Sequence, residues 1–165
     1  MKRILIVVVL MAIGIFSFAE QEERLVLMFF ASTQCAHSTN EGNISALKII
    51  KQEFKEKYSQ YDFKMVMVCF DNPFEESLAL ANRYGDWHEI SLGARYKNEL
   101  ALRDLNESIL PAVPHLIIYK DTYRPLERLE SITRISTREK LVDLIGFQQI
   151  NEWKAKGYPL GIPGH

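Results

Sequence analysis

Cys35-Ala36-His37-Ser38 is the stretch whose residue types could do chemistry. A cysteine attacks as its thiolate, and a helix N-terminus or a nearby histidine favours that form. Cys35 follows the apolar run Leu25–Phe30 and the short turn Ala31-Ser32-Thr33-Gln34, and a helical pattern comes after it. Strand, turn and helix in that order put Cys35 at a helix N-terminus, with His37 in the same turn. Ser38 cannot resolve a mixed disulfide, because resolution needs a second thiolate. The other cysteine, Cys69, ends a second apolar run, Phe63–Phe70, and so falls at the same sheet edge. It reads either as an unusual resolving thiol or as a small buried apolar residue.

The elements that must position these residues are legible as patterns. Leu25–Phe30 and Phe63–Phe70 are too apolar to be half-exposed and read as buried parallel strands. Between them Leu47, Ile50, Phe54 and Tyr58 recur on one helical face. Asn72, Pro73 and Glu75 read as cap, first helical residue and capping-box partner of a helix ending at Tyr84-Gly85. A short extended piece over Trp87–Ile90 and a helix over Tyr96–Leu105 follow. The strand Leu116–Tyr119, a turn over Lys120–Pro125 and a second strand over Leu126–Ile135 make a hairpin. Ser136 and Glu139 then predict a capping box opening a last helix through Ile145, stopped by Gly146. The order β-α-β-α-β-α-β-β-α predicts one layered α/β domain.

With 165 residues and 47% apolar content, the chain can bury a core. A formal net charge of −1 excludes a basic field for nucleic acid. Met1-Lys2-Arg3, an uncharged segment over Ile4–Phe18, and small residues at Ser17 and Ala19 read as a secretory signal cleaved after Ala19. Membrane association is expected only if that segment is retained. Its 15 uncharged residues fall short of the roughly 20 a spanning helix needs. An exported protein meets an oxidising compartment, either a periplasm or the secretory pathway and extracellular space. Asn43 and Asn106 stand in glycosylation sequons, and Trp87 and Trp153 read as packing groups.

Phe30-Ala31-Ser32-Thr33-Gln34-Cys35, the later Val113-Pro114, and Val68-Cys69-Phe70-Asp71 together resemble the thioredoxin superfamily, in its nucleoredoxin, tryparedoxin and TlpA-like branch. The likeness spans about Leu25 to Ile145. It implies a thioredoxin-like three-layer fold, a central mixed sheet with helices on both faces. The implied division is a signal peptide over 1–19, the domain over 20–150 and an irregular tail over 151–165. Pro114 takes the place of the family's cis-proline, whose neighbours contact substrate, so Val113, Pro114 and His115 are candidate substrate-binding residues. The chain departs from the family at Gln34, which replaces Trp, at Ser38, which replaces the second cysteine, and at His115, where Thr is common. His37 stands where the DsbA family also carries His. Anchoring the motif on Phe30 gives Cys35 the first cysteine position; anchoring on Ala31-Ser32 would give that position to Gln34.

The resemblance implies thiol-disulfide exchange of a monothiol kind, with Cys35, His37 and Ser38 at the reacting turn. Cys69 is then the candidate resolving thiol. Protein thiols, disulfides or glutathione are the expected partners, with no cofactor and no metal. The alternative is a non-catalytic binding module that uses the groove beside Cys35 and Pro114. Two further arrangements fit the residues less well: a metal site of Cys35, His37 and His115, and a peroxidatic site. Peroxiredoxins place Thr and Arg around the reactive cysteine. Thr33 is too near in sequence for that pattern, and no Arg matches.

Overall fold

The apolar run at Leu25 becomes the middle strand of the sheet, β1 (Glu22–Ala31). A computed structural model describes residues 22–69, 71, 73–94, 97–105, 112–126 and 129–161, with the backbone alone for 125, 126 and 129–134. The segment Met1–Ala19 expected as a signal, Asn72 expected as a cap, Tyr96 and the sequon at Asn106 lie outside the described residues. After β1 come α1 (Ala36–Thr39), α2 (Glu41–Lys57), β2 (Asp62–Cys69), α3 (Phe74–Arg83) and β3 (Glu89–Leu92). Then follow α4 (Glu99–Leu105), β4 (His115–Leu126), β5 (Leu129–Ile145) and α5 (Gly146–Ala155). Among the described residues, no helix is long and apolar enough to cross a membrane.

The five strands lie in the order β3-β2-β1-β4-β5. β1 and β2 run parallel, as do β2 and β3, while β4 is antiparallel to both β1 and β5. β1 is buried on both faces, which is why its sequence shows no polar alternation. Leu25, Leu27, Phe29 and Ala31 face one core, with Ile44, Leu47, Ile50 and Phe54 of α2, Leu80 and Tyr84 of α3, and Phe147, Ile150 and Trp153 of α5. Val26, Met28 and Phe30 face the other, against Ala101 and Leu105 of α4 and Ile117 and Tyr119 of β4. Helices therefore cover both faces of a mixed sheet.

The hairpin corrects the sequence reading. Lys120–Pro125, expected as a turn, continues β4, and Ser136–Ile145, expected as a helix, continues β5. The helix-capping pattern lost to strand pairing. Ser136 Oγ donates to the Thr122 carbonyl at 3.0 Å, and Glu139 lies 3.4 Å from Lys120 across the pair. Val142 and Leu144 pair with Ile118 and Leu116 and bury together, a period of two that suits a strand. Gly146, expected as a helix stop, instead turns the chain from β5 into α5 at φ +76°. Its amide donates to the Pro114 carbonyl at 2.8 Å.

Smaller shifts follow the same logic. Pro73 is the N-cap of α3 rather than its first helical residue, and no side chain bonds there. Residues 151–155 belong to α5 rather than to an irregular tail. Beyond α5, Tyr158 packs into the α2 and α5 core, and its carbonyl accepts the Tyr58 hydroxyl at 2.7 Å.

Candidate active site

Parallel pairing of β1 and β2 aligns Ala31 with Cys69, so the two strands end level. The residues just beyond therefore meet. Asp71 accepts the Ser32 hydroxyl and the Thr33 amide, each at 2.6 Å. Ser32 Oγ in turn accepts the Gln34 amide at 3.1 Å, and the Cys35 amide donates to the Ser32 carbonyl at 3.2 Å. Four residues of turn are thereby fixed by one carboxylate on the neighbouring strand end. Asp71 is a site residue that the reading of Val68–Asp71 touched but gave no role.

Cys35 is the N-cap of α1, with extended backbone at φ −99° and ψ 115°. Its carbonyl accepts the Thr39 amide at 3.1 Å, closing a single turn whose free amides lie on the Cys35 side. The side chain is half-buried, and Sγ donates to the Val113 carbonyl at 3.3 Å. The Val113–Pro114 bond is cis. The structure thus brings Cys35 and Val113 together, although 78 positions separate them.

The other expected site residues divide. His37 is exposed on α1, and its carbonyl accepts the Asn43 side-chain amide at 3.0 Å. Ser38 is fully buried, and its hydroxyl has no hydrogen-bond partner among the described residues. It fills the turn from beneath and is closed to solvent. Cys69 is also fully buried, a member of the core rather than of the surface. Burial, aided by the charge of Asp71, pushes its thiol up to about 12, so it carries almost no thiolate near neutrality.

His115 is the clearest correction. It was expected beside Cys35 as a substrate contact, yet its ring is fully sealed from solvent. Nε2 lies 2.5 Å from Asp143 Oδ1, Nδ1 has no partner among the described residues, and the ring meets Phe30 edge-on at 5.9 Å. Lys140 donates to the other Asp143 oxygen at 3.1 Å. Burial works against ionisation of Asp143, but the bonds from His115 and Lys140 prevail and hold its carboxyl below the usual value. Asp143 escaped sequence reasoning because the helix expected over Ser136–Ile145 hid its cross-strand neighbour. Among the described residues, no group of three His, Cys, Asp or Glu side chains is placed to hold a metal.

Tyr84 is a further residue that sequence reasoning passed over. It is fully buried at the end of α3, its ring is 5.0 Å from that of Phe29, and its hydroxyl donates to the Ser38 carbonyl at 2.7 Å. Burial raises its pKa; Arg83 opposes that rise, and the nearby thiols of Cys35 and Cys69 add to it.

The sheet order, the directions of β4 and β5, and the cis-Pro114 beside the turn at the end of β1 decide the architecture. The fold is thioredoxin-like. No family model and no curated protein matches the chain. Among solved structures it is similar to the thioredoxin domain of a thiol-disulfide oxidoreductase from Bacteroides vulgatus, at 15% identity and a TM-score of 0.42. That match covers 81% of this chain and 79% of the other.

Proposed function

We propose that the protein carries out thiol-disulfide exchange through Cys35 alone. The observation that carries this reading is the placement of Cys35: half-exposed, at the N-cap of α1, with Sγ against the Val113 carbonyl. In the reaction the Cys35 thiolate attacks one sulfur of a substrate disulfide. A new bond joins Cys35 to that sulfur, the substrate S–S bond breaks, and the second substrate sulfur leaves as a thiolate. No outside oxidant is consumed, because the substrate disulfide is itself the oxidant. Release needs a thiol from solution, of the glutathione class, since Ser38 has no sulfur and Cys69 is sealed in the core. The leader-like sequence of Met1–Ala19 supports export to a compartment where disulfides persist.

A second reading keeps the site but drops the chemistry, leaving a surface beside Cys35 and Val113 that binds a partner. The fully buried Ser38, which supplies no second thiol, favours it. Incubation of the native protein with oxidised glutathione, followed by intact mass, separates the two. The exchange reading predicts one stable adduct on Cys35. An unmodified Cys35 under native conditions would leave binding as the function.

A further inference from the structure

A four-residue helix makes almost none of its own hydrogen bonds, so α1 must be held from outside. Within the turn, Thr39 closes on the Cys35 carbonyl, and Asn43 takes the carbonyl of His37. The last two carbonyls go to Arg83, the last residue of α3, and to Tyr84, its C-cap. Tyr84 Oη donates to Ser38 O at 2.7 Å, and Arg83 Nη2 donates to Thr39 O at 2.8 Å. Arg83 also pairs with Glu41 at 2.7 Å, at the start of α2.

The two bonds differ in weight. Arg83 is exposed, and a solvated bond of this kind contributes little. Tyr84 is buried, and loss of its hydroxyl would strand a buried carbonyl, which is costly. Tyr84 is itself immobilised on three sides. Its ring packs on Phe29 of β1, its carbonyl accepts Lys51 Nζ at 3.1 Å, and its amide donates to Ala81 O at 3.1 Å. A rigid path therefore runs from the middle strand through the phenol to the turn that carries Cys35.

We propose that Tyr84, with Arg83 beside it, is a positioning residue for Cys35. The pair holds the C-terminal end of α1, and with it the N-cap Cys35, whose Sγ lies against the Val113 carbonyl. This inference rests on the exchange reading for its chemical consequence. It reaches beyond that reading by assigning a role to α3, which contributes no reacting group.

The test uses the full chain with Tyr84→Phe, which keeps the core-filling ring and removes the hydroxyl, and with Arg83→Met. Two quantities are read: hydrogen exchange at the Thr39 amide, and the rate at which Cys35 reacts with a small neutral disulfide. Tyr84→Phe should speed Thr39 exchange about tenfold and slow the Cys35 reaction by a similar factor. The amides of β1 should stay protected, which separates loss of positioning from loss of fold. Arg83→Met should move both quantities the same way by less. Wild-type Cys35 rates in both variants would overturn the proposal. Should Tyr84→Phe lose β1 protection, Arg83→Met decides alone. If wild-type Cys35 never exchanges, the function proposal fails, while Thr39 exchange still reports whether α3 holds the turn.

Discussion

The Cys35 thiol donates to the Val113 carbonyl at 3.3 Å, joining the turn after β1 to the residue before Pro114. In that contact the proton lies between sulfur and a carbonyl that cannot move without moving Pro114, whose own carbonyl is tied to Gly146. Loss of the proton turns the sulfur into an acceptor and removes its reason to stay on Val113. In the proposed exchange, the freed thiolate meets a substrate sulfur from the half-exposed side.

Ser38→Cys should convert the chemistry. The hydroxyl is buried and has no partner among the described residues, so a thiol replaces it without breaking a bond seen there. A mixed disulfide on Cys35 would then be attacked within the turn, and the adduct that persists in the wild type should disappear. Intact mass over time after a pulse of oxidised glutathione checks it. Adducts of equal lifetime would contradict it.

Asp71 holds the turn before α1 through two bonds of 2.6 Å. Asp71→Ala removes both and should lower stability by about 1.5–3 kcal/mol, the usual range for bonds to a charged group. Asp71→Asn keeps one acceptor oxygen and should cost less. Urea unfolding of the two variants, read by midpoint at constant slope, measures the order.

Asp143 makes the acid limb of stability predictable in sign. Its folded pKa lies below the ordinary value because the bonds from His115 and Lys140 outweigh burial. Its contribution is therefore complete above the unfolded carboxyl pKa and is lost as pH falls through the folded one. Asp143→Asn should be less stable than wild type near neutrality, by about 1–3 kcal/mol. The two proteins should converge in acid. A gap that widens in acid would contradict the pairing.

Lys51 acts at the other limb. Burial lowers its pKa to about 8 from 10.5; Asp86 opposes the shift and Lys48 adds to it. Its nitrogen donates to the carbonyls of Tyr84 and Asp86 and sits 3.7 Å from the centre of the Trp87 ring. Between about pH 8 and 10.5 the unfolded chain binds more protons than the folded one at this site, so stability should rise with pH there. The neutral amine still has hydrogens for both carbonyls. Against Lys51→Met, wild type should gain relative stability across that window in urea titrations, and a flat difference would contradict it.

The parts legible in the sequence are those set by local pattern. β1 and β2 show as apolar runs, α2 shows as a stripe of Leu47, Ile50 and Phe54, and Gly85 marks the end of α3 at φ +87°. Pattern also put Cys35 at a helix N-terminus. What sequence could not show depends on register. Ser136 and Glu139 fit a helix cap equally well until β4 offers them Thr122 and Lys120. Asp71, Tyr84 and Asp143 act on residues 39, 46 and 28 positions away, across strand ends, between two helices and across a hairpin. Single-sequence periodicity carries no signal for such pairs. His115 was misplaced for the same reason: its partner lay in a segment expected to be helical.

The most direct test of the central claim is the rate of Cys35 with a small neutral disulfide, in folded and urea-unfolded protein, on a Cys69→Ala background. A fold that presents Cys35 for exchange predicts a faster reaction in the folded state, with a single adduct at Cys35. A folded rate at or below the unfolded one would contradict it and would leave the turn as a binding surface.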